Sequence, residues 1–131
     1  MFILHVQQPD LPLPHGEYAF FEWYCNEDGC DCRRALLQVL SPQFPGRVLA
    51  TINYGWETAE FYNDKMPWQE DAGREITSGS LDPLNPNSEL AAALLEGFRD
   101  FVKMHPEANQ QFKRHYELFK KTQKKNRRKR K

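Results

Sequence analysis

Short apolar runs with a period of two occupy residues 17 to 25, 35 to 40 and 48 to 54, and from about residue 88 the period lengthens to that of a helix. The first two runs are bounded by Gly16, a cysteine-containing loop and Pro42, which predicts two strands joined as a hairpin. In the first strand Ala19, Phe21, Trp23 and Cys25 share one sheet face and Tyr18, Phe20, Glu22 and Tyr24 the other, and both faces are expected to be largely covered. The turn Ser41-Pro-Gln-Phe-Pro-Gly46 leads into a third strand, giving an antiparallel meander to which residues 2 to 7 could add an edge. Residues 56 to 63 fit a strand or a short helix equally well.

Residues 69 to 87 are polar and rich in turn formers, so they read as a long connection whose stretch Leu81-Asp-Pro-Leu-Asn-Pro86 packs down through its two leucines. Beyond Ser88, the positions Leu90, Ala91, Leu94, Leu95, Phe98, Phe101 and Val102 form one apolar helical stripe. Pro106 suits the first turn of a second helix, along which Ala108, Phe112, His115, Tyr116 and Phe119 recur at helical spacing. The fold expectation is therefore α+β: a three- or four-stranded antiparallel sheet packed with two C-terminal helices, plus a basic disordered tail. Residues 1 to 119 form one domain on this reading, and residues 120 to 131 the tail.

Composition changes the picture in one respect. The 131 residues suit a single domain, and the formal charge of zero conceals two opposed parts. Lys120, Lys121, Lys124, Lys125, Arg127, Arg128, Lys129, Arg130 and Lys131 supply nine of the 18 cations, while residues 1 to 119 keep the other nine against all 18 acids. The body is thus formally −9 and the tail +9. The N-terminus lacks the basic start and sustained apolar run of a secretory signal, and no stretch of about 20 apolar residues is present, so no membrane partner is expected. With an odd number of thiols, the expectation is a cytoplasmic protein.

The strongest chemical signal is that Cys25, Cys30 and Cys32, all the thiols of the chain, lie within eight residues. A Cys-x4-Cys-x-Cys turn between two strands can gather three thiolates for structural zinc, with Gly29 easing the bend. Arg33 and Arg34 favour thiolate, whereas Glu27, Asp28 and Asp31 oppose it. The spacing is not the paired Cys-x2-Cys signature, and it misses the plant-type iron–sulfur pattern by one residue. Three ligands leave one position, for which His115 is the candidate metal ligand; His105, an acid or water are the alternatives. His15 lies across a strand of roughly 25 Å, and His5 meets a weaker form of the same objection. A histidine on an apolar stripe is more often hydrogen-bonded within a core, and the cysteines could instead be reduced structural thiols or a redox pair.

The nine tail cations could neutralise phosphates by counterion release, a sequence-independent contact with nucleic acid; a solvated tail is the plainer reading. Trp56, Tyr62 and Trp68 could line a groove for a protein partner, although core packing explains such residues as well. No phosphate loop, nucleophile elbow or His-Glu metalloprotease helix occurs. A cysteine nucleophile, Cys25 or Cys32 beside Arg33 with His115 as base, remains formally open.

Through Gly16-Glu-Tyr18, Tyr24-Cys-x4-Cys-Asp-Cys-Arg-Arg34, Ala50-Thr-Ile-Asn-Tyr-Gly-Trp-Glu57 and Leu81-Asp-Pro-Leu-Asn-Pro86, the chain resembles a group of prokaryotic proteins of no known activity. The resemblance spans most of residues 16 to 119. Some members of the group end in a further cysteine-rich motif similar to that of the SecA translocase; here the basic tail stands in its place. The resemblance implies a bacterial origin and draws attention to these segments, but it carries no mechanism. The functional expectation is a small intracellular zinc-stabilised binding or adaptor protein, associated with nucleic acid through its tail, with a thiol-based redox sensor or an enzyme of another type as alternatives.

Overall fold

A computed structural model describes residues 2–7, 13–27 and 29–129, with side chains to residue 125. Among the described residues five strands, β1 (Phe2–Val6), β2 (Gly16–Trp23), β3 (Arg34–Leu40), β4 (Ala50–Gly55) and β5 (Ser80–Leu81), form one sheet in the order of the chain. Every neighbouring pair is antiparallel. The α+β meander is present, with a larger sheet than three or four strands. The fifth strand comes from the polar stretch at residues 69 to 87, which sequence composition assigns to a connection. That stretch also contains a helix, α2 (Ala72–Ser78), preceded by α1 (Ala59–Lys65), capped by Thr58. Both helices have only seven residues, too few to show a full apolar stripe.

Helices α3 (Ala91–Met104) and α4 (Ala108–Lys129) provide the aromatic and aliphatic side chains that meet the sheet. Tyr18, Phe20, Leu37, Val39, Ile52 and Tyr54 are buried, as are Leu94, Phe98 and Phe112 from the helices. Phe98 is a hub: its ring lies 6.1 Å from Phe20, 5.0 Å edge-on from Tyr54 and 6.5 Å from Phe112. On the opposite face α1 and α2 meet the sheet at Gly55, where a Cβ would stand 2.2 Å from the Tyr62 hydroxyl and 2.6 Å from Ile76. Tyr62 anchors α1 by donating its hydroxyl to Arg33 O at 2.6 Å.

The sheet is covered less evenly than alternation suggests. Phe21 and Trp23 remain 36% and 57% exposed, because α1 and α2 reach only the β4 side of their face. Leu81 packs on the core, but Leu84 is 91% exposed. The intervening turn is organised by polar groups: Asp82 accepts from Leu84 N and Asn85 Nδ2, while Asn87 and Pro86 satisfy the buried Thr51. Hydrogen bonds rather than leucine burial therefore fix this connection.

Helix α4 does not end at Phe119, where the apolar period stops; its backbone remains helical to Lys129. Lysine, arginine and glutamine are good helix formers, and two side chains of this segment bond to the cysteine loop. Arg130 and Lys131 lie outside the described residues, as does Asp28.

Replacing Phe98 by Ala is expected to lower unfolding stability by about 3–5 kcal/mol, because a fully buried ring leaves a cavity. Leu84→Ala should change it by less than about 0.5 kcal/mol. Urea denaturation of the two variants checks both the hub and the solvent position of Leu84.

Candidate metal centre

The β2–β3 connection is built by two left-handed positions, Gly29 (φ 71°) and Arg33 (φ 50°), and by a turn in which Cys30 N donates to Glu27 O at 3.3 Å. This path brings the Sγ atoms of Cys25, Cys30 and Cys32 within 4.8 Å of one another. Tetrahedral zinc with bonds of about 2.3 Å needs sulfurs about 3.8 Å apart, so slight closure suffices to bind an ion. Three cysteines, each half-buried, are therefore close enough to hold a metal.

His115 is not gathered with them. It lies on the exposed flank of α4, and its Nδ1 donates to the Glu22 carboxylate at 2.9 Å and 3.1 Å. One residue of helical rotation separates it from the buried Tyr116, which points to the loop instead. His105 pairs with Glu107 at 3.1 Å, and His5 lies 3.5 Å from Glu17. Among the described residues, the metal-competent group contains the three thiols alone.

The loop rests on α4. Tyr116 donates its hydroxyl to Asp31 at 2.9 Å, Lys120 Nζ donates to Cys25 O at 2.9 Å, and Gln123 donates to Asn26 O. Beneath the loop, Tyr24 packs against Trp56, Tyr116 and Phe119 with ring separations of 6.4, 5.9 and 5.9 Å. Arg33 is engaged by Asp31 at 2.9 Å and by Glu57 at 3.7 Å, and it lies over the Phe61 ring. Much of the charge expected to favour thiolate is thus already paired. Burial, together with its contacts to Cys25 and Cys32, pushes the Cys30 thiol up to about 11. The bond from Arg33, with a further one from Tyr116, holds the Asp31 carboxyl below its usual range.

Sequence pattern does not mark Tyr116 and Lys120 as loop anchors. Tyr116 stands on the apolar stripe and reads as core, and Lys120 is one cation among nine. Only the approach of α4 to the loop distinguishes them. Of the basic residues expected to contact nucleic acid, Lys121, Lys124 and Lys125 are exposed and Lys120 is half-buried; Arg127, Arg128 and Lys129 are described by their helical backbone alone. The three aromatic residues suggested for a groove are placed differently. Tyr62 is buried, Trp56 packs on Tyr24 and Tyr116, and Trp68 is 77% exposed.

Compared with protein-family models, curated proteins and solved structures, the chain matches none. No helix among the described residues is long and apolar enough to cross a membrane.

The Glu22 side chain, 9% exposed, also accepts from the Tyr24 hydroxyl at 2.5 Å. Burial raises its pKa, but the hydrogen bonds, including those from Tyr24 and His115, outweigh this and hold the carboxyl below its usual value. A carboxyl depressed by folding stabilises the protein above the unfolded-state value of about 4.3, and the contribution is lost as pH falls through the folded-state value. Glu22→Gln should therefore be less stable than the parent at pH 6, and the gap should narrow by pH 3. Urea unfolding of both proteins at the two pH values measures this.

Proposed function

We propose that the chain is a small intracellular binding or adaptor protein, stabilised by zinc at Cys25, Cys30 and Cys32, which presents the basic end of α4 to nucleic-acid phosphates. The observation that carries this reading is the convergence of three sulfurs within 4.8 Å on a loop that also bonds to Lys120 and Gln123. A metal at the loop would order the very carbonyls that hold the basic segment. Thiolate ligands favour soft or borderline ions, and zinc suits a structural centre without redox chemistry. The net negative charge of residues 1 to 119 disfavours nucleic-acid contact with the body as a whole, which leaves the basic end of the helix as the favoured surface.

The alternative is a thiol-based redox sensor, since the same proximity would allow Cys25 to pair with Cys30 or Cys32 under oxidant.

Purified protein is expected to contain about one equivalent of zinc, and a chelator should lower its melting temperature, as an ion bound only by the folded state stabilises that state. Metal-free protein with unchanged melting would refute the zinc reading, and reversible disulfide formation would then favour the sensor. For the helix, a variant with Lys124→Gln, Lys125→Gln, Arg127→Gln and Arg128→Gln should bind duplex DNA more weakly, with the log K against log salt slope reduced by about 0.9 for each phosphate no longer neutralised. An unaltered slope would reject the nucleic-acid role.

A further inference from the structure

The zinc reading leaves the ion one ligand short, and cations outnumber acids in the lining of the cavity beside it. Among the described residues no fourth side chain joins the thiols. Asp31, the nearest acid in sequence, already accepts from Arg33 and from Tyr116. Cys30 is at once one of the three thiols and part of the wall of a cavity of about 580 Å³ between the loop and α4. Arg114, Lys121 and Lys124 also line this cavity, as do Glu27 and Glu117, and none of the three cations forms an ion pair with a described residue. Lys120 is tied to Cys25 O, so among the described residues these three are the cavity's cations free to meet a ligand.

Zinc with three thiolates carries a net charge of −1, and a neutral water would complete it without calling on any cation. Three such cations beside the centre instead suit a ligand with several anionic oxygens: one to reach the metal, and others to accept charge-assisted hydrogen bonds from lysine and arginine. A carboxylate has two oxygens, whereas a terminal phosphate has three and carries nearly two charges at neutral pH. The cavity is larger than a phosphate needs and leaves room for the group that bears it.

We propose that the cavity bounded by Cys30 and lined by Arg114, Lys121 and Lys124 is a binding site for a phosphate monoester, one oxygen of which completes the coordination of the loop metal. This rests on the metal reading above, and it gives that metal a ligand-binding role besides a structural one. The ligand chemistry is common to free phosphate, a nucleoside monophosphate and a phosphorylated nucleic-acid end.

Cobalt(II) loaded in place of zinc makes the coordination visible through its ligand-field bands. Adenosine 5′-monophosphate, inorganic phosphate and adenosine are the probes, each titrated into the cobalt-loaded full chain. The bands should shift with the monophosphate and with phosphate but not with adenosine; tighter binding of the monophosphate would point to a nucleotide, and equal binding to free phosphate. Arg114→Gln combined with Lys121→Gln should weaken monophosphate binding at least tenfold, while the thiolate-to-cobalt absorption persists because neither residue is a metal ligand. Bands indifferent to both phosphate probes would overturn the proposal, with the metal reading intact. So would Asp28→Asn changing the bands of the ligand-free protein, since that would place the fourth ligand within the chain. If cobalt gives no thiolate absorption at all, it is the metal reading that has failed.

Discussion

Seating α4 on the β2–β3 loop is the constraint on which the candidate site depends. The loop has little regular structure of its own; its turn, closed by Cys30 N on Glu27 O, is held at 3.3 Å, and two of its residues are left-handed. What positions it is the helix: the Tyr116 hydroxyl on Asp31, Lys120 on Cys25 O, and the ring of Tyr24 wedged among Trp56, Tyr116 and Phe119. A buried tyrosine needs a partner for its hydroxyl, and here that partner belongs to the loop. The aromatic layer thus serves two ends at once, closing the core and orienting the segment that carries the thiols.

This arrangement links chemistry at the loop to the charge at the end of the helix. Lys120 and Gln123 lie at the start of the basic run, so whatever stiffens the loop also fixes the direction in which α4 leaves the body. Separation of an acidic body from a basic end gives the molecule a strong dipole, and the cations of α4 that face the loop border a cavity in which they outnumber the acids Glu27, Asp31 and Glu117. The cavity and the outer turns of the helix draw on neighbouring lysines but are different surfaces.

The sheet carries a second asymmetry. One face is filled by α3 and α4 around Phe98, whereas the other is protected only near Gly55 by α1 and α2. Trp23 and Phe21 consequently face solvent although they lie in a strand of bulky apolar residues. Two seven-residue helices are too short to span five strands, which is a physical limit on how far that face could be closed.

Local pattern alone was enough to determine the β2, β3 and β4 meander, the α3 stripe, the start of α4 and the cysteine-bearing turn, because each depends on interactions a few residues apart. It leaves α1 open and does not reveal α2 and β5, whose residues are short or polar and acquire structure from what they pack and pair against. The thiols were legible as a cluster; the role of His115 was not, since the apolar period along α4 admits both His115 and Tyr116 and only the docking angle of α4 sends one to Glu22 and the other to Asp31. Which side chains anchor the loop, which cations line its cavity and which face of the sheet stays open were decided by contacts across the fold, whose geometry no local run of residues contains.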